Sequence, residues 1–557
     1  MKITLSRVTT ANIIIILAGL LLFLSFNGRL HLFDWDEINF AESAREMLVT
    51  NDYSTVRINY EPFWEKPPLF IWMQAFSMQI FGINEFAARF PNGIAGVITL
   101  LFLFSAGRRL SGFRMGWLWA LVYAGSFLPF FYFKSGIIDP WFNLFIYGSL
   151  YTLILYTDPE CHTSKNKLVL TGGLLLGLAI LTKGPVAILV TGLSFAVFLV
   201  LKKFRVSVHS RHVLLYALAT ILAGGSWFLY QLLTGNHQII IDFIEYQIRL
   251  FNTRDAGHGG FLLYHFVVVF FGVFPAALFM IPAFRNIYPS LSKENHYRLW
   301  NLAIMMTVLV LFTIVRTKIV HYSSLAYFPL TFLAAQYLDG KITLRSKSPR
   351  WITAIAGFLV MVYALAVILL SQTDRIKKYF LETNLIRDEF AKANLMADGG
   401  WKGIEWAPAL LLIGGLVLFM WFNNRNNLRL AVISLFSGSL FFMYFSMVLI
   451  VPRVEAYSQR ALIEFCSDVS DENSYVSTLG FKSYAVYFYA RRMPPGIPPV
   501  LDLNSELEIP GSATLYVVMK NIRKDQFLEQ YPGLEFLYEK NGYVFTRYTG
   551  TDHIGKN

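Results

Sequence analysis

Residues 67–81, PPLFIWMQAFSMQIF, decide how this chain is laid out. If the stretch crosses a bilayer, every later loop changes side. If it does not, the acidic residues just before it share a face with several later loops. Its apolar run, Pro68 to Phe81, is shorter than the roughly 17–25 residues needed to cross a hydrocarbon core about 30 Å thick, and it starts behind two prolines. It is read as lying in or against the interface.

That a bilayer is involved follows from composition. A chain of 557 residues, 55% hydrophobic and only 15% charged, with mean hydropathy +0.48, cannot cover itself with polar surface, which excludes a soluble globular protein. The expectation is an α-helical polytopic membrane protein of about 13 transmembrane helices, at 11–29, 90–108, 115–133, 139–156, 166–182, 184–201, 213–233, 262–284, 299–315, 321–338, 352–370, 407–422 and 428–450. Positive residues in short loops mark the cytoplasmic side. With Lys2 and Arg7 inside and 68–81 not crossing, inside loops collect Arg108, Arg109 and Arg114, then Lys202, Lys203, Arg205 and Arg211, then Lys341, Arg345, Lys347 and Arg350. The first span is kept as uncleaved, because no small-residue cleavage site follows it. Cys161 and Cys466 fall on opposite sides and cannot pair.

Composition shifts after Val451. The division expected is a membrane domain over 1–450, whose first outer loop is 30–89, and a small extracytoplasmic α/β domain over 451–557. Strands are expected at Ser474–Leu479, Tyr484–Tyr489, Ala513–Met519 and Gly542–Tyr548, with helices at Tyr457–Val469 and Lys524–Gln530.

This topology gathers the ionisable residues on one face. The first outer loop carries Asp34, Asp36, Glu37, Glu65 and Lys66; later loops bring Asp139, Lys183, Arg249, His258, Lys318, His321 and Tyr322. Carboxylates and cations together at a membrane surface suit a substrate with an anionic headgroup, a lipid tail and a hydroxyl or amine to be deprotonated. Structural roles stand beside these. Asp139 precedes Pro140 at a helix start and suits a cap, Lys66 suits an interfacial anchor, Lys183 sits in a tight Gly-Pro turn, and Trp35, Trp64 and Trp72 suit interfacial anchoring.

In sequence order, Asp36-Glu37, Trp64-Glu65-Lys66-Pro67-Pro68-Leu69, Asn84 to Pro91, Asp139-Pro140, Leu181-Thr182-Lys183-Gly184-Pro185 and Lys318-Ile319-Val320-His321-Tyr322 resemble the bacterial protein O-mannosyltransferase and lipid A aminoarabinose transferase superfamily, glycosyltransferase family 39. The resemblance covers roughly residues 10–340. It implies a GT-C fold, a place in the bacterial inner membrane with the site and C-terminal domain facing the periplasm, and transfer of a sugar from a polyprenyl-phosphate donor such as undecaprenyl phosphate. The acceptor it implies is lipid A-like, a surface glycan or a protein; membrane lipids are further partners, and nucleic acid is not. Asp36 matches the catalytic acid, Asp139 a second acidic position, and Glu37 completes the acidic pair. Lys66 matches the donor-phosphate lysine, with Arg249, Lys183, Lys318 and Tyr322 beside it. Trp64, Glu65, His321 and His258 are candidates for substrate contact. A divalent metal ion is optional, with Glu65 and His258 its candidate ligands.

Departures from the aminoarabinose pattern fall at Asn39 and Phe40, where Arg and Tyr are usual, at Trp64 in place of Tyr, and at Tyr246 or Gln247 in place of a histidine. Sugar specificity therefore does not follow from the resemblance. The reaction expected is inverting, without a covalent enzyme intermediate. Protein O-mannosyl transfer is the alternative; a polyprenyl-lipid transporter or flippase is the rival of another class, against which stands the scarcity of charge within the spans.

Overall fold

Apolar runs become helix wherever a span was expected. The computed structural model describes residues 6–63, 65–252, 259–284, 292–383, 386–471, 473–494 and 514–549. Helix α1 (Arg7–Leu24) leads into the first outer loop, which holds α2 (Asp36–Thr50), a short hairpin of β1 (Arg57–Ile58) and β2 (Glu61–Pro62), and α3 (Leu69–Phe81). Next come α4 (Glu85–Ser111), α5 (Phe113–Ala124), α6 (Phe127–Tyr132), α7 (Asp139–Thr157), α8 (Lys165–Lys183) and α9 (Val186–Leu201). The pair α10 (Ser210–Gly224) and α11 (Ser226–Leu233) is followed by α12 (His237–Asn252), and α13 (Tyr264–Gly272) by α14 (Ala276–Met280). After α15 (Lys293–Ile314), a 3-10 turn at Val320–Ala326 opens α16 (Tyr327–Thr343), followed by α17 (Arg350–Leu370).

Among the described residues seven helices are long and apolar enough to cross a bilayer, or nine if each of two bent pairs counts as one span. The pairs are α10–α11, bent by 52°, and α13 with the following turn to Phe284, bent by 108°. The remaining expected spans are helical but shorter, broken or more polar. The thirteen residues of α3 rise only about 20 Å at 1.5 Å each, so it is too short to span alone. It packs against α2 and α4.

Helices α18 (Thr373–Glu382) and α19 (Glu389–Leu395) fill the loop before α20 (Ala407–Asn424) and α21 (Leu428–Leu449). These last two touch backbone to backbone: a Cβ on Gly415 would lie 2.9 Å from Cα of Gly438. Small residues allow that approach, and dispersion then holds helices that lipid does not drive together.

Past α22 (Val451–Glu455) and α23 (Arg460–Asp468), a four-stranded sheet forms from β3 (Ser474–Leu479), β4 (Thr514–Lys520), β5 (Leu534–Lys540) and β6 (Tyr543–Tyr548), with α24 (Ala485–Phe488) and α25 (Lys524–Gln530) beside it. The order is β3-β4-β6-β5; β3 and β4 are parallel and the other pairings antiparallel. The strand expected at Tyr484–Tyr489 is instead the short helix α24. Every side chain from Tyr484 to Ala490 is buried, so neither alternation nor a helical stripe was there to be read. The strand β5 was not anticipated; only Leu534 of its seven residues is buried, so it carries no inward-facing apolar alternation.

Candidate active site

The loop between α1 and α2 is fixed by one buried ion pair. Arg89, on α4, gives Glu37 two hydrogen bonds of 2.7 and 2.8 Å and donates to the carbonyls of Asn27, Leu30 and His31. Glu37 also accepts from the backbone N–H groups of Phe33 at 2.8 Å and Gly136 at 2.5 Å. Both side chains are buried, at 2% and 3% exposure, so a bidentate pair with satisfied lone pairs sets the chain direction into α2. Glu37, read from sequence as half of a catalytic pair, thus has every oxygen committed to structure. Its neighbour Asp36 is different. At the first turn of α2 its side chain is 46% exposed and faces a cavity of about 660 Å³.

That cavity brings the expected residues together. Asp139, the first residue of α7, receives Lys183 Nζ at 2.5 Å on one oxygen. His321 Nε2 stands between the carboxylates, 3.8 Å from Asp36 and 3.9 Å from Asp139. Two acids from loops a hundred residues apart therefore share one face, as required if α3 does not cross. Lys183 also lies 5.2 Å from the Tyr322 ring centre. Gly184 ends α8 at φ +103°, a turn only glycine makes without strain, and delivers Lys183 to the cavity.

Lys66 reaches the same space from the first loop. Its Nζ is 3.1 Å from the Tyr246 hydroxyl, 4.6 Å from that ring's centre and 3.7 Å from Glu65. Arg249, one turn along α12, also lies over the Tyr246 ring, at 5.1 Å. Tyr246 is one of the two positions, with Gln247, where the resemblance led us to expect histidine, and it organises the two cations. Deeper in, Phe142, Ile146, Val186, Val190 and Phe312 make an apolar wall between α7, α9 and α15.

Lys318 is not brought in. Its ammonium donates to the carbonyls of Phe312, Thr313 and Val315 at 2.6–2.8 Å, closing the end of α15. A lysine within a few residues of a helix end satisfies the carbonyls left without partners there, and this one is fully used in doing so. Trp64 and His258 lie outside the described residues. Among the described residues no group of three or more His, Cys, Asp or Glu is arranged to hold a metal ion; Glu65 faces Lys66.

Sequence reasoning missed the wall supplied by the C-terminal part. Asp34 is accepted into it: Ser483 Oγ donates to its carboxylate at 2.5 Å and the Tyr484 N–H at 3.2 Å. Burial pushes the Asp34 carboxyl up, against the lowering effect of those two donors and of Lys482. Lys482 and Tyr484 line the same cavity. They lie some 450 positions from the acidic loop, and no local pattern marks them.

Residues 65–230 match the Dolichyl-phosphate-mannose-protein mannosyltransferase family. An undecaprenyl phosphate-alpha-4-amino-4-deoxy-L-arabinose arabinosyl transferase of Pectobacterium carotovorum is 26% identical over 342 residues, 59% of each chain. Its namesake from Edwardsiella ictaluri is 27% identical over 350 residues, 62% of each. The match thus spans about three fifths of the length of these curated relatives. The crystal structure of ArnT from Cupriavidus metallidurans bound to undecaprenyl phosphate superposes with TM-score 0.77 at 18% identity, covering 99% of both chains; its apo form gives 0.73 at 19%, covering 97% of this chain and 98% of that one. Motifs and fold converge: the chain is a multi-span membrane protein with the GT-C fold, similar in sequence to the aminoarabinose transferases over about three fifths of its length.

Proposed function

We propose that the protein transfers a sugar from a polyprenyl-phosphate donor to an acceptor at the extracytoplasmic face of a bacterial inner membrane. The observation that carries this is one cavity in which an accessible carboxylate, Asp36, faces cations at Lys66, Arg249 and Lys183 above an apolar wall. The apolar wall suits the first isoprenes of the donor. Lys66 and Arg249, paired across Tyr246, suit its phosphate, which leaves as the anomeric bond breaks; cations placed where that charge develops lower the barrier. Asp36 orients the acceptor and takes its proton as the anomeric carbon is attacked from the opposite face, giving inversion. Asp139 does not need to touch substrate. It holds Lys183 and flanks His321, so its part is positioning.

The relatives named for aminoarabinose transfer favour a lipid-linked sugar donor of that kind, while the changes at Asn39 and Phe40 leave the sugar open. A lipid A-like or glycan acceptor is the leading reading and protein the second. A divalent metal ion is not needed for any step here. The test is turnover of a polyprenyl-phosphate sugar by purified protein, read as release of free polyprenyl phosphate, which a flippase would not produce. Asp36→Asn is expected to lose about 10²–10⁴-fold and Lys66→Ala about 10²–10³-fold. Wild-type rates in both variants would end the proposal.

A further inference from the structure

A proton taken up by Asp36 must leave it again before the next turnover. His321 lies on the 3-10 turn Val320–Ala326 that opens α16, and its side chain is largely buried against the cavity. A single atom of it, Nε2, faces two carboxylate oxygens: Oδ2 of Asp36 at 3.8 Å and Oδ2 of Asp139 at 3.9 Å. Both separations are beyond hydrogen-bond length. Lys183 occupies the other oxygen of Asp139 at 2.5 Å, while Oδ2 is buried and has no hydrogen-bond partner among the described residues. Leaving a buried acceptor in that condition is costly. A proton on His321 Nε2 supplies the donor it lacks.

Charge points the same way. The charged groups that face His321 are Asp36, Asp139, Lys183 and Lys66. Lys183 is paired with Asp139, and Lys66 lies 3.7 Å from Glu65. Asp36 has no ion-pair partner among the described residues except His321. Two carboxylates and one ammonium around a neutral imidazole leave one negative charge in excess, and one added proton cancels it. Imidazole is the side chain that takes and returns a proton near neutral pH. About 1 Å of closure brings either carboxylate into hydrogen-bond reach of Nε2, the tightening that catalytic hydrogen bonds commonly undergo when substrate binds.

We infer that His321 is the positioning residue that resets Asp36, receiving at Nε2 the proton that Asp36 has taken from the acceptor. This rests on the transfer reaction proposed above. In the transfer step the acceptor oxygen bonds the anomeric carbon and gives its proton to Asp36, while the bond to the phosphate oxygen breaks and its electron pair leaves with the phosphate. In the reset step the Asp36 O–H bond breaks and an N–H bond forms at Nε2. The Asp36 anion is restored, and the imidazolium lies between two carboxylates. Water takes the proton from it as the products leave. Asp139 holds both Lys183 and the charged form of His321 in place.

The test follows release of free undecaprenyl phosphate from undecaprenyl phosphate-linked 4-amino-4-deoxy-L-arabinose, with lipid A as acceptor, by the full-length protein in nanodiscs. His321→Ala is expected to lower turnover about 10²-fold, the low end of what a placed proton-transfer group supplies, with undecaprenyl phosphate affinity unchanged. Added imidazole should restore part of the loss, and the restored rate should rise with the neutral fraction of the imidazole as the pH is raised. His321→Gln keeps the bulk but has no basic nitrogen, so it should stay as slow as His321→Ala. Imidazole should restore nothing in Asp36→Asn. Wild-type turnover in His321→Ala, recovery in His321→Gln, or a loss that neutral imidazole does not relieve would overturn the reset role and leave the transfer reading intact. A wild-type protein that releases no undecaprenyl phosphate from this or any other undecaprenyl phosphate-linked sugar would overturn both together.

Discussion

Asp36 and Glu37 are adjacent, equally acidic and differently employed. Glu37 sits in a buried fork with Arg89, and removing one partner of such a pair leaves a buried charge uncompensated at a cost of about 3–5 kcal/mol. Glu37→Ala should therefore lower the thermal midpoint markedly, whereas Asp36→Asn, at an accessible position, should leave it nearly unchanged while abolishing turnover. Unfolding followed by circular dichroism in detergent, with the activity assay beside it, separates the two; equal midpoints would remove the structural role given to Glu37. The sequence displayed Asp36, Lys66, Asp139, Lys183 and His321 as candidates, because each is ionisable beside a long apolar run, where charge is costly and stands out. It could not display what each one touches. Arg89 lay within a quoted motif, yet its partner is 52 positions away. Lys318 looked like another phosphate cation until the end of α15 came into view.

Among the elements, the apolar helices were the most legible and α2 the least. Eleven of its fifteen residues are buried, among them Glu42, Arg45 and Glu46, so pairing rather than apolar periodicity keeps it in place. No hydrophobic stripe announces such a helix. The turn joining α8 to α9 is the opposite case, marked in sequence by Gly184-Pro185. A Cβ on Gly184 would come within 2.6 Å of the Phe243 ring on α12, and the left-handed backbone there adds about 1–2 kcal/mol for any other residue. Gly184→Ala is expected to push α12, with Tyr246 and Arg249, away from Lys183. Misplacement of about 1 Å costs on the order of 10²-fold in rate, so turnover should fall by roughly that factor while helical content is retained. Wild-type turnover in this variant would show that α12 does not position the cations.

At the scale of the whole molecule, the change of composition at Val451 foretold a separate C-terminal sheet but not how firmly it meets the first outer loop. Arg45 and Tyr60 both donate to the carbonyl of Arg492, and Arg492 donates back to Asn59. Beneath them Glu46 accepts from the N–H groups of Asn59 and Tyr60. Burial first, and the adjacent Glu42 second, raise the Glu46 carboxyl from 4.5 to about 9. A carboxyl raised in the folded state supports folding fully below its ordinary value and less as the pH climbs toward the raised one. Thermal stability should thus decline from about pH 4.5 to about pH 9. Glu46→Gln should flatten that decline, starting about 1–3 kcal/mol lower because an amide cannot accept from both N–H groups. A melting series across this range checks it, and an unchanged slope in the variant would assign the decline elsewhere.

The short segment before α2 is tied down by residues made last. His31 pairs with Glu455, Leu32 donates to the Tyr489 hydroxyl and its carbonyl accepts from Gln459, and Asp34 accepts from Ser483 and Tyr484. Ribosomes finish those anchors only after helices α1 to α21 have been made. The acidic loop of a nascent chain therefore stays unmoored until the residues after Val451 have been made and have folded against the beginning of the chain.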